Sequence, residues 1–172
     1  HIREVDAILH MIRCFDSSNI QNVNQTVDPV RDLEIIETEM MLADLESIQK
    51  RLEKKNKKSL DKEQQDILES TADCLNNNKD LIKINEKFDL ATINKSGLLS
   101  LKPKIYVCNV DEKSIKNGNK YTNLFTEKFG KKNTLIISAD IENQINQLSN
   151  EEKVNYMKMI GSDETGLKLM IK

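Results

Sequence analysis

Two rhythms of apolar residues divide this chain. Dense, short apolar runs occur at 5–15 (VDAILHMIRCF), 104–110 (KIYVCNV) and 133–140 (NTLIISAD). Rich in Ile and Val and free of internal helix punctuation, they predict buried strands. Between the first two runs the rhythm changes. From 30 to 55 neither Gly nor Pro interrupts the chain, and Met41, Leu45, Ile48 and Leu52 fall at alternating steps of four and three. That spacing predicts a helix with one apolar seam. Asp28 is placed to cap its start, with Pro29 at the first helical position, where a missing N–H costs nothing.

The run KKNKKS ends this helix, Ser59 is placed to cap a second one, and Asp61 and Glu63 fall in its first turn, where the helix dipole favours acids. In that second helix Leu60, Ile67, Cys74 and Leu81 recur every seven residues, as do Leu68, Leu75 and Ile82. Sevenfold recurrence on two helices joined by a short link predicts an antiparallel coiled-coil hairpin. Polar Gln64, Thr71 and Asn78 in the seam predict modest stability and no oligomerisation zipper, so a monomer is expected. Beyond it, DLATINKSGLLS reads as a short helix and GNKYTNLFTEKFG as a helix bounded by Gly118 and Gly130. Residues 141–172 carry helical periodicity with caps at Ser149 and Ser162. Strand, helical hairpin, strand, helix, strand, helices is the order of an α/β fold with a parallel sheet. The segments are 1–29, 30–87 as a helical insertion, and 88–172.

Composition narrows the function classes. With 38% hydrophobic and 31% charged residues the chain is globular and rich in exposed helix, and a net charge of −2 excludes a wholly basic nucleic-acid binder. No apolar stretch is long enough to span a bilayer and no leader opens the sequence, so a cytoplasmic protein without a membrane partner is expected. Cys14, Cys74 and Cys108 lie far apart without a CxxC pair and read as reduced structural thiols.

The informative chemistry sits where two strands end. The second runs into Asn109-Val110-Asp111-Glu112 and the third into Ser138-Ala139-Asp140. In open α/β sheets ligands bind at the carboxyl ends of strands. P-loop GTPases of the translation-factor class carry Asn-Lys-x-Asp here, followed about one strand later by Ser-Ala, and clasp guanine with them. This chain keeps the Asn but has Val110 for Lys and Glu112 for Asp. Asn-x-x-Glu, the preceding IREVDAILHMIRCF and above all VDPVRDLEIIETEMMLADLESIQKR resemble the Obg-like ATPase (YchF) family, whose P-loop G domain contains a coiled-coil insertion. The resemblance is strong over 2–51 and 98–112 and looser through the hairpin tip and the last helices.

The resemblance implies a partial P-loop G domain that favours ATP over GTP and serves the translation machinery. Asn109, Val110 and Glu112 would hold the base, with Ser138 and Ala139 assisting. The longer arm of Glu112 displaces the two oxygens that an Asp would fork onto guanine, which by itself weakens selection for that base. Val110 is expected to cover the flat face of the base, as the Lys stem would. GxxxxGK followed by Ser or Thr does not occur in the sequence, and no Asp-x-x-Gly stands ahead of Asn109, on the side where the family keeps its sensor of the third phosphate and magnesium. The family places both before His1 and a β-rich TGS domain after Lys172, so the chain is expected to be a piece, inactive alone. Mg2+ is implied for the intact protein, with ligands outside these residues.

Asp140 and Glu142 read as a cap and a surface charge, His10 as a packed histidine, and Met40, Met41, Met157 and Met159 as core filler. The basic residues Lys50, Arg51, Lys54, Lys55, Lys57, Lys58 and Lys62 fit a solvated hairpin end, or phosphate contacts with RNA on the ribosome. The competing class is an RNA- or protein-binding helical module whose nucleotide half-site no longer functions.

Overall fold

The computed structural model describes residues 2–16, 26–53, 59–160, 165, 166 and 168. Along the chain run strand β1 (Ile8–Arg13), helix α1 (Pro29–Leu52), helix α2 (Lys62–Asn76), two short helices α3 (Ile82–Lys87) and α4 (Leu90–Ser96), strand β2 (Lys104–Asn109), helix α5 (Lys120–Phe129), strand β3 (Thr134–Ile137), helix α6 (Ala139–Asn146) and helix α7 (Asn150–Ile160). The class is α/β and the order is the predicted one. The chain packs as two compact units, residues 1–8 with 34–103 and residues 9–33 with 104–172.

The second unit holds the sheet, in strand order β1-β2-β3. β2 and β3 are parallel, with Tyr106 opposite Thr134 and Asn109 opposite Ile137. β1 runs the same way: Ile8 N–H reaches the Pro103 carbonyl at 2.9 Å near its start and Cys14 N–H reaches the Asn109 carbonyl at 2.8 Å beyond its end. Alternation along β1 buries Ile8, His10 and Ile12 and exposes Leu9 and Met11. His10 is packed as expected, its ring 5.9 Å from that of Tyr106. The core joins Ile12, Cys14, Leu33, Cys108, Val110 and Phe125. Aromatic rings are scarce in this chain, yet Tyr106, Phe125 and Phe129 share one cluster, with centroids 5.6 Å apart for Tyr106–Phe125 and 4.7 Å for Phe125–Phe129. All three cysteines are free and buried. The neighbouring Cys108 thiol, and then burial, push the Cys14 thiol far above its ordinary range, so it stays protonated.

Punctuation explains the helix ends. Asp28 Oδ1 accepts the Arg31 N–H at 3.0 Å, as its position before Pro29 predicts. Asn119 accepts the N–H groups of Tyr121 and Thr122 in a capping box that opens α5, while its own Nδ2 donates to the Cys14 carbonyl at 2.7 Å. At the end of α4, Gly97 adopts φ +67°, the left-handed turn that favours glycine.

The helical unit is built around Ile48, Ile67, Leu68, Cys74, Ile84, Ile93, Leu98 and Leu101. Three sequence expectations change here. The second helix opens at Asp61, whose carboxylate accepts the Gln64 N–H at 2.8 Å, and not at Ser59. It also ends at Asn76, so the sevenfold recurrence outruns it: Leu81 and Ile82 belong to the next turn, beyond Asn78 at φ +50°. The break is held by Asp73, which accepts from Asn77 Nδ2 at 2.8 Å and Lys79 Nζ at 2.7 Å. Thr71 does lie in the buried seam, where its hydroxyl donates back to the Ile67 carbonyl at 2.7 Å.

The third change concerns α1. In this unit its fully buried positions are Met40, Asp44 and Ile48, while Met41, Leu45 and Leu52 are half-buried. A wholly buried aspartate on an apolar stripe needs donors. Asp44 has them: Arg3 Nη1 at 2.9 Å, and the Ser100 N–H and Oγ at 2.7 and 2.8 Å. The carboxylate thereby ties the segment before β1 and the segment before β2 to α1.

Candidate nucleotide-base site

The site follows from register. Asn109 and Ile137, last residues of two parallel neighbours, lie side by side. The ladder runs one bond further, from the Val110 N–H to the Ile137 carbonyl at 2.8 Å. Residues 109–112 therefore leave the sheet beside 138–142.

Asn109 closes the gap between these loops, its Oδ1 accepting the Ala139 N–H at 2.9 Å. That N–H is one of the free donors at the start of α6, and the bond fixes which end of the Asn109 amide is oxygen. Ser138, just before the helix, is fully buried, makes no side-chain cap and leaves its Oγ without a hydrogen-bond partner among the described residues.

On the other side Asp111 turns the chain. Its carboxylate accepts the Ser114 N–H at 3.1 Å and caps the 3-10 turn Glu112–Ser114, which carries Glu112 outward. Glu112 is exposed, and one of its oxygens accepts a hydrogen bond from Gln144 Nε2. Gln144 Oε1 in turn accepts the Tyr156 hydroxyl at 2.6 Å.

Of the five residues picked from sequence, Asn109 and Ala139 are directly bonded, Ser138 adjoins them, and Glu112 is tethered to the helix that Ala139 opens. Val110 departs from expectation. Only 2% exposed, it packs into the core with Cys108 and Phe125, so its side chain cannot cover a base. Asp140 is exposed in the first turn of α6, whereas Glu142 is half-buried and accepts the Gly166 N–H at 2.6 Å. Glu142 is thus a backbone acceptor for Gly166 and not merely a surface charge. Gln144 and Tyr156 were not singled out by the sequence. Among the described residues no group of three or more His, Cys, Asp or Glu is placed to hold a metal ion.

This arrangement was compared with known proteins. The ribosome-binding ATPase YchF of Haemophilus influenzae is 34% identical over 180 residues, which take in 100% of this chain and 49% of the relative. The Bacillus subtilis protein of the same name is 32% identical over 182 residues, 100% of this chain and 50% of the relative. The chain belongs to the YchF family. A solved YchF GTPase from Schizosaccharomyces pombe superposes with a TM-score of 0.76 at 30% identity, over 98% of this chain and 49% of the other. No family model matches. The chain spans about half the length of the curated YchF relatives it matches. The curated relatives are named ATPases and the Schizosaccharomyces pombe protein a GTPase.

Proposed function

We propose that the protein binds and hydrolyses a nucleoside triphosphate, ATP ahead of GTP, and that this chain supplies the base-recognition half of the site. The observation that carries the reading is the Asn109–Ala139 bond, which fastens two strand-end loops into one clasp with Glu112 at its side. With its Oδ1 engaged, Asn109 keeps its Nδ2 donors to offer to ring acceptors. Glu112 offers a carboxylate acceptor to an amino group on the base edge, and the Ser138 hydroxyl lies at the junction. Fixed polar groups of this kind orient a base without consuming binding energy in their own reorganisation.

Burial of Val110 alters the role the resemblance assigned to it. It holds the strand end against the core, and selection between bases falls to Glu112. Phosphate cradling and water activation belong to motifs absent from this sequence, so the chain alone is expected to bind weakly and not to hydrolyse.

Ribosome association, printed in the names of relatives, is proposed for this protein through the basic end of its helical unit. Lys54, Lys55, Lys57 and Lys58 lie outside the described residues. Of the neighbouring cations, Lys50 pairs with Glu46 at 2.6 Å and Arg51 donates to the Ser96 carbonyl at 2.6 Å. Among the described residues no helix is long and apolar enough to cross a membrane.

Titration of the natural-length protein with ATP and GTP tests the reading. Asn109→Ala is expected to weaken both nucleotides about tenfold or less, the range for one hydrogen bond. Unchanged affinity in that variant would remove the base clasp. Ribosome pelleting with Lys54, Lys55, Lys57 and Lys58 reversed to Glu tests the other half, and is expected to abolish association while leaving nucleotide affinity alone.

A further inference from the structure

We infer that Gln144, oriented by Tyr156, is a specificity-determining residue that makes Glu112 a one-oxygen acceptor and so favours adenine over guanine. The inference rests on the base-clasp reading above and adds two residues to it.

The hydrogen bonds have only one self-consistent direction. An ionised Glu112 can only accept, so it must face the NH2 end of the Gln144 amide; the reverse orientation would set the amide oxygen against a carboxylate. The Gln144 oxygen then points to Tyr156, whose hydroxyl donates to it at 2.6 Å. Tyr156 is itself held by packing. Its half-buried ring lies against the cluster of Ile141, Ile145 and Met157, leaving the hydroxyl at the wet edge, the usual arrangement of a tyrosine with one apolar and one polar end. A fixed ring therefore orients an amide, and the amide orients a carboxylate.

The consequence concerns how many oxygens Glu112 has to offer. Guanine presents two adjacent N–H donors on its recognition edge, and a carboxylate meets them with both oxygens. Adenine presents one amino group there. Gln144 holds one Glu112 oxygen and so fixes the plane of the carboxylate: a single donor still meets the other oxygen, whereas two adjacent donors need that plane turned to present both. Specificity comes as much from the partner a wrong ligand lacks as from the contact a right one makes. The same helix, α6, carries Ala139 at its start and Gln144 five residues on, so both halves of the clasp are fixed to one rigid element.

The test uses the natural-length protein and the Kd values of ATP, GTP and inosine triphosphate, the last lacking the second donor of guanine. Gln144→Leu is expected to shift the ATP-to-GTP preference toward GTP by about three- to tenfold, with GTP gaining more than inosine triphosphate. Tyr156→Phe should shift it the same way by less. Both effects should vanish in a Glu112→Ala background, since a purely structural role for Gln144 would persist there. If Glu112→Ala itself leaves the preference unchanged, the base clasp fails. If Glu112→Ala erases the preference but Gln144→Leu does not move it, or moves GTP and inosine triphosphate equally, the one-oxygen inference alone is overturned.

Discussion

Two carboxylates, one in each unit, show how this molecule separates architecture from function. Asp44 in the helical unit is fully buried and takes three donors from two distant segments, all between 2.7 and 2.9 Å. Glu112 in the sheet unit is exposed and carries one side-chain donor, from Gln144. A satisfied buried network makes the fold unique; a partly satisfied one at a strand end is open to a ligand. The difference separates residues whose loss should unfold the protein from residues whose loss should only change what it binds.

The largest effect is expected at Asp44. Asp44→Ala leaves the Arg3 cation and the Ser100 N–H and hydroxyl without their acceptor, and should cost roughly 3 kcal/mol in chemical denaturation. The ATP-to-GTP preference of the folded fraction should not move. Val110→Lys comes next. Inserted as the missing base-covering lysine, it would instead put an ammonium into the core around Cys108 and Phe125, with an expected loss of about 2 kcal/mol or more. A variant as stable as the parent, and shifted toward GTP, would show that Val110 faces the base after all.

A smaller effect concerns pH. The N-cap carboxylates Asp61 and Asp89 sit below the ordinary 3.8, Asp61 because it accepts the Gln64 N–H and then the Lys95 ammonium, Asp89 because it accepts the Thr92 N–H. Their folded values lie under their unfolded ones, so their stabilisation is complete above about pH 4 and is lost as pH falls through that point toward the folded values. Helical circular dichroism should show a flat melting midpoint from pH 7 to 5 and a drop below pH 4. Asp61→Asn with Asp89→Asn should shrink that drop. The smallest change in stability is expected for Glu112→Ala, whose unfolding curve should overlay the parent while its preference between ATP and GTP disappears.

The sequence disclosed the elements whose signals are local. Asp28 before Pro29 and Gly130 after α5 punctuate helices in their own neighbourhood, and each marks an end in the structure. The second helix was read too long because a heptad pattern continues through Asn76, Asn77 and Asn78, while side chains folded back on Asp73 stop the helix there. The same asparagines are turn formers, and weighing them above periodicity would have placed the break. Asn109, Glu112, Ser138 and Ala139 were picked out by the family resemblance, and the parallel register explains why the two segments that carry them converge. The burial of Val110 was also within reach: it lies two residues beyond Cys108, on the same face of the strand, and both are buried. Gln144 and Tyr156 were not within reach. Their bonds to the site span 32 and 12 residues, and nothing in a lone Gln or Tyr on a helix marks such a contact.

The central claim is that the ends of β2 and β3 select the base. An equilibrium competition between ATP and GTP, on the natural-length protein and its Glu112→Asp variant, addresses it most directly. The account predicts ATP ahead in the parent and a shift toward GTP in the variant, whose shorter arm restores the carboxylate reach suited to two donors. GTP ahead in the parent, or an unchanged ratio in the variant, would contradict it.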